Sequence, residues 1–176
     1  MSGENATPEK IDFVERCVLN LVGCIFYGDP FHSRKGWDTE NEIGLTWKRF
    51  MDLYQRHTID NRIHKRTMYE VHIQPDDYKE TKKFYVYIGV EVGEIKKMPL
   101  EMFGKVFPAT MYAVFTFKGK NIFRGGEYIW QDWLVNSDYE EAYPYVILAY
   151  EEGRYFGLDD ENSEIDYYVP VKRKRE

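Results

Sequence analysis

The sequence predicts an α+β fold in which a β-α-β-β unit occurs twice. Three observations predict it. Several segments rich in β-branched and aromatic residues alternate with the period of a strand. Each half also carries one stretch of apolar residues at helical spacing around a tryptophan, Trp47 in the first and Trp130 with Trp133 in the second. The order of segments then repeats across a linker at 93–107. Self-similarity of this kind reads as an internal duplication. Two antiparallel sheets related by a pseudo-twofold axis, each with a helix on one side, are expected to leave a ligand groove between the halves. The whole chain, 1–176, is read as a single domain, with a first repeat at 11–92 and a second at 107–172.

The first strand is expected over 18–27, ending at Gly28-Asp29-Pro30, with a loop at 29–38 that contains Trp37. Asp38 or Thr39 is the expected helix cap. Ile43, Trp47, Phe50, Met51 and Tyr54 then trace one helical face that ends near His57. A basic connector at 56–66 leads to strands at Thr67–Ile73 and Phe84–Val92, joined by a turn-rich link at 74–79. In the latter strand, Phe84, Val86, Ile88, Val90 and Val92 share one face, while Tyr85, Tyr87, Gly89 and Glu91 share the other. After the linker come a strand at Thr110–Lys118, a short helix at 123–135, a strand at Tyr145–Glu151 and a strand at 164–171.

Composition limits the functional classes. The chain has 176 residues, 43% hydrophobic and 31% charged, which suits an ordinary globular domain. No apolar run approaches the roughly 20 residues that span a bilayer, and the polar start lacks a secretory core, so a cytoplasmic location is expected. Cys17 and Cys24 are expected to be buried free thiols. His32, His57, His64 and His72 do not pair with them at metal-ligand spacing, so neither metal nor cofactor is expected. A net charge of −6 argues against direct nucleic-acid binding. Ten acids and one base, Arg154, fall within 138–166, read as a solvated rim, and the basic tail at 172–175 reads as a frayed end. The aromatic share is 17%, led by 15 Tyr, which suits a half-wet cavity better than a dry core.

Five blocks carry a resemblance. They are Glu42-Ile43-Gly44-Leu45-Thr46-Trp47-Lys48-Arg49-Phe50, the strand from Phe84 to Val92, the run from Phe107-Pro108-Ala109 through Tyr112-Ala113-Val114-Phe115 to Lys118-Gly119, the run from Tyr128-Ile129-Trp130 to Glu140, and the closing strand from Ser163 to Lys172. In this order they resemble the gyrase-inhibitor-like (GyrI-like), or AraC-type effector-binding, domain family, here as a stand-alone member. With sixteen residues ahead of Cys17, no DNA-reading module is expected. The resemblance implies a duplicated β-α-β-β fold and capture of small hydrophobic molecules, cationic or planar aromatic, in a central groove.

On that reading the candidate ligand-binding residues in the first half are Trp47, Tyr69, Tyr87 and Glu91. In the second half they are Tyr112, Trp130, Trp133, Leu148, Tyr150 and Tyr168. The family's buried pocket glutamate falls here on Leu148, a departure that puts cation selectivity in question; Glu91 or Glu127 is expected to supply the missing charge. It also weakens the alternative of a hydrolase acting on cyclopropane-containing electrophiles, which needs an acid in the pocket. A second alternative is inhibition of DNA gyrase through the acidic surface. A transcription regulator or gyrase is the candidate protein partner, and the oligomeric state is open.

Overall fold

The computed structural model describes residues 6–31 and 41–175 and divides the chain into two compact units. The first unit is Cys17–Ala109; the second joins Thr110–Glu176 to Met1–Arg16.

The first unit contains β2 (Leu19–Gly28), α1 (Glu42–Arg56), β3 (Thr67–Ile73), a single helical turn α2 (Tyr78–Thr81), β4 (Phe84–Val92) and β5 (Phe103–Phe107). Its strands pair antiparallel in the order β3-β4-β2-β5. The alternation read from Phe84 to Val92 holds. Phe84, Val86, Ile88, Val90 and Val92 join Val22 and Cys24 against Ile43, Phe50 and Leu53 of α1 in one core. Tyr87 and Glu91 fall on the opposite face. Asn41 caps α1, its side chain accepting from the backbone N–H groups of Ile43 (3.0 Å) and Gly44 (3.1 Å). The loop expected at 29–38 lies largely outside the described residues, as do His32, Trp37 and the expected caps Asp38 and Thr39. The cap falls on Asn41 instead. Arg49 ties the helix to the sheet through the carbonyl of Ile25 at 3.2 Å.

The second unit opens with β1 (Lys10–Arg16), followed by β6 (Thr110–Lys118). A composite helical segment comes next: a 3₁₀ turn Gly119–Arg124, α3 (Gly125–Tyr128), a π turn Ile129–Trp133 and α4 (Leu134–Asn136). Then come β7 (Tyr139–Glu141), β8 (Tyr145–Glu151) and β9 (Glu164–Arg173). Within this unit the pairing runs β1-β6-β9-β8, with β7 on β9, all antiparallel. Each unit therefore has a strand, a helical segment and two longer strands, plus one added edge strand, and the second unit also carries the short β7. That edge strand, β5 or β1, is the chain segment leading directly into the first strand of the other unit.

Three expectations are corrected. Cys17 is exposed, because it sits in the two-residue link between β1 and β2 rather than in a strand; Cys24 is buried as read. The basic tail is not frayed. Arg173 pairs with Tyr139, the Lys174 N–H donates to Asp138 at 2.8 Å, and its ammonium donates to the carbonyls of Leu134 (3.0 Å) and Ser137 (2.7 Å). A cation there satisfies carbonyls at a helix end that have no partner within the helix. Finally, the acidic stretch is not wholly a solvated rim. Arg154 draws in Asp166 (2.6 Å), Glu164 (3.2 Å) and Glu151 (3.3 Å).

Candidate functional site

In the first unit the strand register sorts the candidates onto two faces. Tyr69, Tyr87 and Glu91 share the face away from α1, since Tyr69 lies opposite Gly89 and Val71 opposite Tyr87. Tyr87 is buried, and its hydroxyl lies 3.1 Å from the carbonyl of Leu21 and 2.5 Å from that of Phe103. The phenol thus joins the backbones of β2 and β5. Glu91 is only 5% exposed and accepts from the Tyr69 hydroxyl at 2.9 Å, with His64 Nε2 at 3.8 Å. It is a buried acid, not a strand-end carboxylate in water.

The face under α1 holds a feature the sequence reading passed over. Glu70 has no solvent exposure. Its Oε2 accepts from Trp47 Nε1 at 2.5 Å, and its Oε1 lies 2.6 Å from His72 Nε2. Alternation placed Met68, Glu70 and His72 on one side of β3, and Ile88, opposite Glu70, belongs to the core beneath the helix. The available signal was a single acid between Tyr69 and Val71, on the face that meets the helix.

In the second unit the face away from the helical segment gathers Tyr112, Tyr145 and Tyr168. The Tyr112 and Tyr145 hydroxyls lie 2.7 Å apart, Tyr168 meets Tyr112 edge-on at 5.9 Å, and the Arg16 guanidinium stands 5.8 Å over the Tyr168 ring. Along the same face Thr116 donates to Asp166 at 2.7 Å, and Asp166 pairs with Arg154. Leu148 points the other way. It lies opposite Tyr167, whose hydroxyl donates to the Ile122 carbonyl at 2.8 Å, so Leu148 and Tyr150 are core residues on the helix side.

Trp133 packs edge-on to Phe115 at 4.9 Å and stacks on Tyr139 at 5.9 Å. Trp130 is half-buried and donates from Nε1 to Glu141 at 3.0 Å. Glu127 is exposed and ion-paired with Arg124 at 3.2 Å. It edges a polar cleft of 310 Å³ bounded by Ala6, Arg124, Tyr128, Gln131 and Asp132. The ten residues chosen from sequence thus fall into separate clusters: Tyr69, Tyr87 and Glu91 in one, Tyr112 and Tyr168 in a second, Trp47 beside Glu70, Trp130 beside Glu141, and Leu148, Tyr150 and Trp133 within packed aromatic and aliphatic surroundings.

Burial raises the phenol pKa values of Tyr87, Tyr112, Tyr145 and Tyr168 above the ordinary 10.0, and for Tyr145 the hydrogen bond it shares with Tyr112 adds to the effect. A raised folded-state value means the neutral phenol is favoured by folding. The associated stability is fully present below pH 10 and is lost as pH climbs through the folded-state values. Thermal melting across that range, followed with tyrosinate absorbance, is expected to show a fall in Tm above pH 10 and a set of tyrosines that ionise only with unfolding. A Tm independent of pH there would contradict the burial of these hydroxyls.

Among the described residues no group of three or more His, Cys, Asp or Glu is placed to hold a metal ion, and no helix is long and apolar enough to cross a membrane. The chemistry on offer is aromatic surface, hydroxyls and buried carboxylates.

Comparison with known proteins identifies the family. The model of the GyrI-like small molecule binding domain matches residues 27–172. The transcriptional regulator BrlR of Pseudomonas aeruginosa is 31% identical over 160 residues, covering 90% of this chain and 54% of that protein, so the chain spans about half of its relative. Among solved structures, SAV2435 bound to tetraphenylphosphonium superposes with a TM-score of 0.65 at 16% identity, covering 93% of this chain and 94% of that one. The EcmrR C-terminal domain gives 0.65 at 13% identity, covering 94% and 98%. At such identities these two likenesses speak for the fold.

Proposed function

The chain belongs to the GyrI-like small-molecule-binding family, and from that premise we propose that it captures small organic molecules that are hydrophobic and either cationic or planar aromatic. The observation that carries this reading is the presence of two buried carboxylates, Glu70 and Glu91, each hydrogen-bonded to an aromatic side chain, in a unit otherwise rich in rings. Removing a carboxylate from water is costly, and the attraction of a bound cation offsets that cost. Ring faces add cation–π attraction of about 0.5–2 kcal/mol each. Tetraphenylphosphonium, the ligand of a protein with this fold, combines both features: apolar rings and one delocalised positive charge.

Recognition of this kind uses apolar burial and stacking with few obligatory hydrogen bonds, so it tolerates many ligands. Affinity is expected in the micromolar range, about −8 kcal/mol. Such a module serves sensing when it is coupled to a DNA-binding regulator and sequestration when it acts alone.

The test is tryptophan quenching and thermal shift with tetraphenylphosphonium, a planar cationic dye and the neutral triphenylphosphine oxide. Saturable quenching by the two cations, with a raised Tm, is the expected result. Absence of both signals across the panel would overturn the reading.

A further inference from the structure

We infer that β1 is an interface between two copies of this chain. Each copy lays its Lys10–Arg16 strand antiparallel against that of the other, so that Asp12 of one faces Arg16 of the second. This goes beyond the ligand-binding reading and does not depend on it.

β1 is the outermost strand of the second unit. Among the described residues it pairs on one side only, with β6, from Lys10 opposite Thr116 to Arg16 opposite Thr110. Alternate residues of such a strand turn their N–H and C=O groups away from the sheet, a template that another strand completes. The strand is seven residues long and holds no proline that would blunt the edge. It also keeps its largest apolar side chains in water, Phe13 at 46% exposure and Val14 at 39%. Phe13 extends a cluster of rings at this edge, 4.9 Å from Tyr139 and 6.2 Å from Trp133.

The charges of the strand select its partner. Paired residues in a sheet point to the same side, so two identical strands related by a twofold axis are centred on one residue that faces its own copy. Centring on Phe13, Asp12 or Val14 overlaps at least five residues of the strand; any other centre overlaps fewer. With Phe13 at the centre, Lys10 faces Arg16; with Asp12 at the centre, the two Asp12 carboxylates face each other. Like charges directly opposite are destabilising. With Val14 at the centre, Asp12 of each copy faces Arg16 of the other, Val14 meets Val14, and Phe13 lies beside the stem of Glu15. The Asp12 side chain stays 45% exposed while it holds Lys10 at 2.5 Å, and Arg16 stands 5.8 Å over the Tyr168 ring. β5, the outer strand of the first unit, is built the opposite way. Its central residue is Lys105, so full twofold overlap sets one ammonium against another, a common protection of a sheet edge.

Sedimentation velocity on the full chain over a range of concentrations tests this. A reversible dimer with a dissociation constant on the order of 10–100 μM is expected, because one strand pair is a small interface. Asp12→Lys and Arg16→Glu each place like charges across the axis and are expected to weaken the dimer at least about tenfold. The double variant restores opposite signs and is expected to recover the parental constant. Val14→Lys sets two ammonium groups at the axis, leaves Arg16 on Tyr168, and is expected to stay monomeric. Circular dichroism checks that each variant is folded. A parent that remains monomeric up to about 1 mM overturns the proposal. So does a dimer indifferent to the single changes, or a double variant no tighter than the singles. Should Arg16→Glu fail to fold for want of its contact with Tyr168, Val14→Lys decides: loss of the dimer supports the interface, and a dimer as tight as the parent's overturns it.

Discussion

Replacing Gly23 with alanine is expected to cost the first unit at least about 3 kcal/mol, enough to leave much of it unfolded at ordinary temperature. Gly23 of β2 lies directly opposite Gly89 of β4. A Cβ on Gly23 would stand 1.8 Å from the carbonyl oxygen of Ile88 and 2.6 Å from the Cα of Gly89. Both obstacles are backbone atoms in the central strand pair of that sheet, so no side-chain rotation relieves the overlap. The strands would have to part, and the ladder holding Cys24 to Ile88 and Val22 to Val90 would part with them. Alanine at Gly89 meets the same obstacle from the other strand, since its Cβ would stand 2.5 Å from the carbonyl oxygen of Val22 and 3.0 Å from the Tyr87 ring. Gly93→Ala is the matched control. The nearest atom to its added carbon, Asn61 O, is 4.0 Å away, an ordinary contact, and the change is expected within about 0.5 kcal/mol of the parent. Urea unfolding followed by circular dichroism separates the two; a Gly23→Ala midpoint equal to that of Gly93→Ala would contradict the close approach.

How far the fold could be read in advance depended on burial. Thr67–Ile73, Phe84–Val92, Thr110–Lys118 and Tyr145–Glu151 were legible because each is an apolar or aromatic run stopped by turn residues. β1, β5 and β7 were not. Lys10–Arg16 and Phe103–Phe107 are edge strands with mostly exposed side chains, so charge interrupts their pattern and pairing with one neighbour supplies the order that propensity does not. The helix expected at 123–135 is instead split by a π turn at Ile129–Trp133, placed where Trp133 reaches Phe115, a tertiary requirement with no local signature. The place of Glu91 on the face of Tyr87 was legible from the alternation of the strand. Glu70 was not, because a lone acid in a strand reads as solvent-facing until the position of α1 shows which face is covered. Leu148 was flagged for lacking an acid, and the core contacts around it explain why an aliphatic side chain fits there.

Phe115→Ala is expected to have the corresponding effect in the second unit. Phe115 is fully buried on β6, between Ile11 of β1 and Tyr167 of β9, and its ring meets Trp133 at 4.9 Å and Tyr128 at 6.3 Å, both edge-on. These contacts join the sheet to a helical segment that changes from 3₁₀ to α to π within 119–136 and so gains little from regular helical hydrogen bonding. Removing the ring takes away transfer free energy and leaves a cavity, together about 3–5 kcal/mol. For a chain of this size that corresponds to a fall in Tm of roughly 6–20 °C. The indole of Trp133 would lose the ring that packs against it, so its emission should shift to longer wavelength before the main transition. Trp133→Phe in the Phe115→Ala background then tests the coupling. If the two side chains stabilise the unit through their mutual contact, the double variant loses less than the sum of the single losses; strict additivity would place the helical segment's anchorage elsewhere.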